Sequence, residues 1–147
     1  MTDRVLHGYQ ISCNRKDMAF QLMSYEIARQ IKTSKRQILE SMQKRESLAD
    51  TALIDGIALP HVVLKKEFSP QLFIFKSDRY LQDWNCLDQS KVKNMICLVF
   101  PEKISSANQN YQVIRKVINR LANEEIDYQI SQAKSSTEII KILRDGR

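Results

Sequence analysis

His61 and Arg45 are the two side chains whose types and spacing can do chemistry in this chain. His61 closes the stretch Gly56-Ile57-Ala58-Leu59-Pro60, and Arg45 stands sixteen positions earlier. This arrangement can present an imidazole at the end of a buried strand, with a cation folded back to hold an anion against it. An unperturbed imidazole titrates near neutrality, so a free ring nitrogen is available at cellular pH as a nucleophile. Gly56 permits a close backbone approach or a positive φ, and Pro60 stiffens the chain just before the ring. The other histidine, His7, has no such setting and reads as structural or simply exposed.

Several chemistries are absent from the sequence. No G-x-S-x-G elbow is present for a serine hydrolase. Gly8, Gly56 and Gly146 lie too far apart for a Walker or dinucleotide glycine pattern, which excludes ATP binding by those routes. Cys13, Cys86 and Cys97 are odd in number and lack zinc spacing, so neither a metal nor a cofactor is expected. Cys97, inside an apolar run, reads as core. A phosphoryl group arriving on another protein fits better, because its transfer needs mainly positioning and charge neutralisation. Arg45 offers a planar fork of donors for phosphate oxygens; taken alone it also reads as a solvated charge at a helix end.

The elements that must position these residues follow from periodicity. Tyr9 to Ser12 reads as a short first strand. Asn14 is a candidate N-cap, with Met18, Ala19, Leu22, Met23 and Ile27 forming a helical stripe after it. Ser34 with Gln37 forms a capping box for a second helix, which buries Ile38, Leu39 and Met42 and ends near Arg45-Glu46-Ser47. Thr51 to Ile54 and Ile57 to Leu59 are too short for helices and are broken by the turn signal Asp55-Gly56. Pro60 suits a strand end. Leu72 to Phe75 and Met95 to Phe100 read as central strands, with Tyr80 to Gln89 a short helix or packed loop between them. Val113, Ile114, Val117, Ile118 and Leu121 form an amphipathic stripe. Ile126 and Ile130 extend the helical region, and Ser135 with Glu138 caps a last helix. Helices before, between and after strands predict an α/β fold with helices covering a sheet.

A chain of 147 residues is read as a single domain, 1–147. Its 43% apolar and 27% charged content is ordinary for a globular protein. The longest apolar run, Met95 to Phe100, is too short to cross a bilayer, and Met1-Thr2-Asp3-Arg4 does not begin a secretory signal; the expected location is the cytoplasm. A net charge of +6 permits an acidic or phosphorylated partner. Lys and Arg are scattered, with no reading helix or aromatic platform, so the alternative of a basic nucleic-acid-binding domain is not the expected one.

The stretch Arg45-Glu46, then Thr51, then Asp55-Gly56-Ile57-Ala58-Leu59-Pro60-His61 resembles the active-site signature of the fructose/mannitol-type enzyme IIA domains of the bacterial sugar phosphotransferase system. The family pattern runs R-E, a threonine, then N-G-I-A-[IL]-P-H, and the spacing matches without a gap. Asp55 stands where asparagine is frequent. The similarity extends more loosely to a helical pair first, a strand ending in V-x-P at Val99 to Pro101, and a helix-rich close. The resemblance implies a three-layer sandwich with a mixed central sheet flanked by helices. It implies that His61 accepts a phosphoryl group from the phosphohistidine of the phosphocarrier HPr, with Arg45 lining the phosphate site and Thr51 a weaker carry-over, phosphate-binding or structural.

The chain departs from the pattern in one place. Transport members of the family carry a second histidine at the start of the helix after the V-x-P strand, in an H-L-x-x-L pattern. Here Asn110 occupies that place in Asn110-Tyr111-Gln112-Val113-Ile114, and a register two residues earlier puts Asn108 there. An asparagine amide can donate to a phosphate oxygen but cannot titrate. The resemblance therefore implies a regulatory relative, such as the IIA-like domain of phosphotransferase-controlled transcription regulators or a stand-alone signalling version. The alternative is a carrier passing phosphate to a IIB domain for uptake of a fructose- or mannitol-class sugar.

Overall fold

The computed structural model of the protein describes residues 5–145. Met1 to Arg4, read above for a leader, and Gly146 lie outside the described residues. Five strands form one mixed sheet: β1 (Leu6–Ile11), β2 (Ile57–Ala58), β3 (His61–Leu64), β4 (Gln71–Ser77) and β5 (Asn94–Pro101). The spatial order is β1-β4-β5-β2, with β3 also on β5. β1 runs parallel to β4, β4 antiparallel to β5, and both β2 and β3 parallel to β5. β4 and β5 are thus central, as their near-continuous apolar runs predict, and both are buried on two faces.

The side-chain alternation of β4 and β5 divides the interior into two cores. Phe73, Phe75, Met95, Cys97 and Val99 pack on one side with Ala19, Met23, Ile27, Ile38 and Met42. Those last five belong to α1 (Lys16–Ile31) and α2 (Lys35–Leu48). Leu72, Ile74, Ile96 and Leu98 pack on the other side with Ile114, Val117, Ile126, Ile130, Ile139 and Leu143. Those six lie on α3 (Gln109–Asn119), α4 (Glu124–Gln132) and α5 (Ser136–Asp145). The expected three-layer sandwich is the observed one.

Local signals hold at some helix ends and fail at others. Ser34 accepts from the Gln37 backbone N–H, and Ser135 from that of Glu138. Asn14 is not a cap: the N-cap position of α1 is Arg15, which makes no side-chain cap bond. The first N–H of that helix, on Lys16, instead donates to Asp83 at 2.7 Å, a carboxylate from the distant 78–93 loop. Met18 is half exposed, and Phe20 takes a core place beside Ala19. Residues 51–54 form no strand, apart from an isolated bridge between Ala52 and Ala58. The Tyr80–Gln89 segment is a packed loop that buries Leu81 and Trp84. Cys13, Cys86 and Cys97 are free and buried. His7 bonds Gln71 through Nε2 and stacks on Phe73, a structural setting.

The turn before β2 depends on two positive φ angles, 53° at Asp55 and 73° at Gly56. A Cβ at residue 56 would lie 2.9 Å from the Lys91 carbonyl oxygen, a backbone atom with little room to retreat. Gly56→Ala is expected to cost roughly 1–3 kcal/mol of stability, read as a lower urea midpoint at unchanged slope.

Asp127 on α4 is an internal liability. It is buried, and its Oδ1 has no hydrogen-bond partner. Burial, followed by the like charges of Asp55 and Glu124, pushes its carboxyl up to about 6, whereas an unfolded chain titrates at about 4. Between those values the folded protein holds a proton that the unfolded chain has released. Stability therefore falls as pH rises through that window, and the loss is complete above it. Asp127→Asn is expected to gain on the order of 1–2 kcal/mol at neutral pH and nothing below about pH 4, checked by urea denaturation across that range.

Candidate functional site

The 55–61 segment enters the sheet edge in two pieces. β2 pairs Ile57 with Asn94 and Ala58 with Met95; β3 then pairs His61 with Leu98 and Val62 with Val99. The break at Leu59-Pro60 fits a proline that cannot donate to a ladder. His61 therefore opens an edge strand, and does not end a buried one as the sequence suggested. Partners in a parallel ladder share a face. The imidazole accordingly leaves the sheet on the side of Leu98, whose side chain packs in the core beneath α3 to α5.

An edge strand needs its outward backbone groups satisfied, and α2 does this for β3. The Ser41 hydroxyl accepts from Val63 N–H at 2.8 Å and donates to Val63 C=O at 3.1 Å. One helical turn separates Ser41 from Arg45, a rise of about 6 Å, and two strand residues separate Val63 from His61, about 7 Å. Arg45 thus follows one turn after the residue that docks α2 on β3. Its guanidinium acts electrostatically on the His61 ring, and its Nη1 donates to the Ala49 carbonyl at 2.8 Å, closing the end of α2.

The ring is partly buried, and that burial is the main influence holding its pKa below the ordinary imidazole value. The Leu59 backbone opposes this, Arg45 adds to it, and Glu46 opposes it. The net result is a neutral imidazole at cellular pH. Nδ1 is sealed from solvent without a hydrogen bond of ordinary geometry. The site thus sets a neutral, partly buried imidazole within the field of one cation, an arrangement able to serve nucleophilic chemistry on an anion.

Thr51 is placed differently from the expectation of a phosphate contact. It is 5% exposed, and its hydroxyl and N–H both donate to Glu46, at 2.7 and 3.1 Å. It ties the loop after α2 to the helix, and its carbonyl accepts from Leu59 N–H at 3.0 Å. Asn108 and Asn110 are also resolved into different roles. Asn108 is the N-cap of α3, accepting from Tyr111 N–H, while Asn110 in the first turn donates its amide to the Pro70 carbonyl at 3.0 Å. Among the described residues neither asparagine is hydrogen-bonded to His61.

Four residues around the site carry no sequence signal that singles them out: Lys16, Ser41, Asp50 and Trp84. Trp84 Nε1 donates to Asp50 at 2.8 Å, and Lys16 pairs with Glu46 at 3.1 Å while lying 4.5 Å from the Trp84 ring centroid. Each joins segments more than twenty residues apart, beyond any local pattern.

Among the described residues no helix is long and apolar enough to cross a membrane. Residues 3–146 match the model of the family described as "Phosphoenolpyruvate-dependent sugar phosphotransferase system, EIIA 2". The chain is 24% identical over 137 residues to a nitrogen regulatory protein of Klebsiella oxytoca, covering 93% of this chain and 83% of that one. The fold is shared with the nitrogen regulatory protein IIA-Ntr of Neisseria meningitidis, with a TM-score of 0.72 at 18% identity over 95% and 92% of the two chains. It is shared too with enzyme IIAMTL of Escherichia coli in its complex with phosphorylated enzyme IIBMTL. That match has a TM-score of 0.67 at 17% identity, over 100% of this chain and 98% of the other.

Proposed function

Because this chain belongs to the EIIA 2 family of the phosphoenolpyruvate-dependent sugar phosphotransferase system, we propose that His61 accepts a phosphoryl group on Nε2 from the phosphohistidine of HPr, and that the modified state serves regulation. The observation that carries the reading is a neutral, partly buried imidazole whose Nδ1 is sealed, within the field of the Arg45 guanidinium, which leaves Nε2 as the nitrogen to react. The Nε2 lone pair attacks phosphorus as the N–P bond of the donor breaks, and the departing imidazole keeps that electron pair. Arg45 offsets the charge on the transferring phosphoryl oxygens.

Two observations favour regulation over sugar uptake. Nitrogen regulatory proteins match nearly the whole chain. Where transport members carry a second histidine, this chain has Asn110, which cannot titrate and whose amide holds Pro70. A transcription-regulator domain or another signalling protein is then the partner whose binding changes with the phosphate. The second reading, onward transfer to a IIB domain, draws support from the shared fold of a relative solved with its phosphorylated IIB. Either reading requires the cytoplasm, and the three free thiols accord with a reducing compartment.

The test is incubation with enzyme I, HPr and phosphoenolpyruvate, followed by intact-mass spectrometry. A gain of one phosphate that depends on HPr is expected. No gain while HPr itself becomes phosphorylated would overturn the proposal. Adding IIB domains then separates the readings: retained phosphate supports regulation, and rapid loss to IIB supports the carrier.

A further inference from the structure

We propose that Lys16 is a positioning residue for His61, acting through Glu46: it fixes and neutralises the carboxylate beside the imidazole, and so keeps the ring's surroundings receptive to an anion. Lys16 is the first residue of α1, far from the signature in sequence. Its backbone N–H is anchored on Asp83 at 2.7 Å. Its Nζ lies 3.1 Å from Glu46 Oε2, 4.5 Å from the Trp84 ring centroid and 5.9 Å from that of Phe20. The ammonium is thus held between a carboxylate and two aromatic faces, a setting that restrains a long side chain.

Glu46 is only 8% exposed at its side chain. Both of its oxygens are used: Oε1 accepts the Thr51 hydroxyl, and Oε2 accepts Thr51 N–H and Lys16. From Thr51 the connection runs through its carbonyl to Leu59 N–H, and the Leu59 backbone lies against the His61 ring. Four links therefore join Lys16 to the imidazole, the first three between residues at least five positions apart and the last within the 59–61 segment. Asp50 belongs to the same cluster. Burial raises its carboxyl, but the Trp84 indole, Ala52 N–H, Glu46 and Lys16 together hold it below the ordinary value.

The charges that face this corner are Lys16 from α1, Arg45 and Glu46 from α2, Asp50 from the loop after it, and Asp83 from the 78–93 loop at the Lys16 backbone. Glu46 and Arg45 act on His61 in opposite senses, the carboxylate favouring the proton and the guanidinium disfavouring it. A carboxylate so little exposed, left without its cation, has an uncompensated charge. Its field then draws a proton to the imidazole and repels an incoming phosphoryl group. Lys16 quenches that field without occupying the surface where the donor must approach.

The experiment measures His61 by NMR titration of its ring in wild type, Lys16→Met, Lys16→Arg, Glu46→Gln and the Lys16→Met/Glu46→Gln double variant, with His61 signals assigned by their loss in His61→Gln. Lys16→Met is expected to raise the His61 pKa by several tenths of a pH unit and slow phosphoryl uptake from phospho-HPr about tenfold, and Lys16→Arg to restore both. Glu46→Gln keeps one of the two acceptors for Thr51, removes the charge, and is expected to shift the titration downward. In that background Lys16→Met should move it no further. An unchanged titration in folded Lys16→Met, or the same upward shift in the Glu46→Gln background, overturns the proposal. If Lys16→Met does not fold, the Glu46→Gln shift decides alone: its absence or reversal is the contradicting result. The rate measurement rests on the phosphoacceptor reading of His61; the titration does not, so failure of one is distinguishable from failure of the other.

Discussion

His61→Gln takes up no phosphate from phospho-HPr, while wild type gains one: this is the largest effect the site geometry predicts. Glutamine approximates the reach of the ring but supplies no nucleophilic nitrogen. No other group can stand in. His7 lies on β1, at the opposite edge of the sheet from β3, three strand spacings or about 14 Å away, and its Nε2 is bonded to Gln71. The three thiols are buried. The variant should fold as wild type does, because His61 is only partly buried and its one polar tie within the fold is to the neighbouring Leu59 backbone. Intact-mass spectrometry after incubation with the donor system checks the result, with circular dichroism as the folding control.

Arg45→Met is expected to slow uptake about a hundredfold and to change its pH dependence. The cation now disfavours the imidazolium, with burial as the larger influence in the same direction. Removing it raises the His61 pKa, so the acid limb of the rate profile moves to higher pH. Below that limb the ring is protonated and has no lone pair to offer; above it the remaining loss is the missing stabilisation of phosphoryl charge. Arg45→Lys separates the two effects: it keeps the limb near its wild-type position but recovers only part of the rate, because a point charge does not reproduce the guanidinium fork. Both variants also lose the bond from Arg45 to the Ala49 carbonyl, a cost of about 1 kcal/mol in stability. Single-turnover uptake from phospho-HPr across pH, with urea denaturation in parallel, supplies both measurements.

Short-range patterns were readable where one segment satisfies itself. The apolar runs of β4 and β5, the Ser34 and Ser135 caps and the Asp55-Gly56 turn all depend on residues within a few positions, and all are present. Asn14 failed as a cap because the end of α1 is satisfied by Asp83, in a loop more than sixty residues away. The place of His61 in the fold was misread for a related reason. A Pro before the ring suggested a strand ending, but the proline interrupts an edge strand that resumes at His61. Thr51 belongs to the signature and was open to a phosphate-binding or a structural role; its bonds to Glu46 give it a loop-holding one. The pairing of Lys16 with Glu46 spans thirty positions and two helices. Nothing in composition or periodicity marks it, since a lysine at the start of one helix and a glutamate near the end of another are ordinary surface choices. Asp127, between Ile126 and Tyr128, was hidden in the same way, because a carboxylate in a helix reads as solvated until its neighbours are known.

The most direct test of the account is to phosphorylate protein carrying nitrogen-15 histidine and to read the ring nitrogens of His61 by long-range proton–nitrogen correlation. The expected spectrum shows one phosphorylated ring, that of His61, with phosphorus bonded at Nε2 and Nδ1 unmodified. Phosphate on Nδ1, on His7 or on no histidine at all would contradict it.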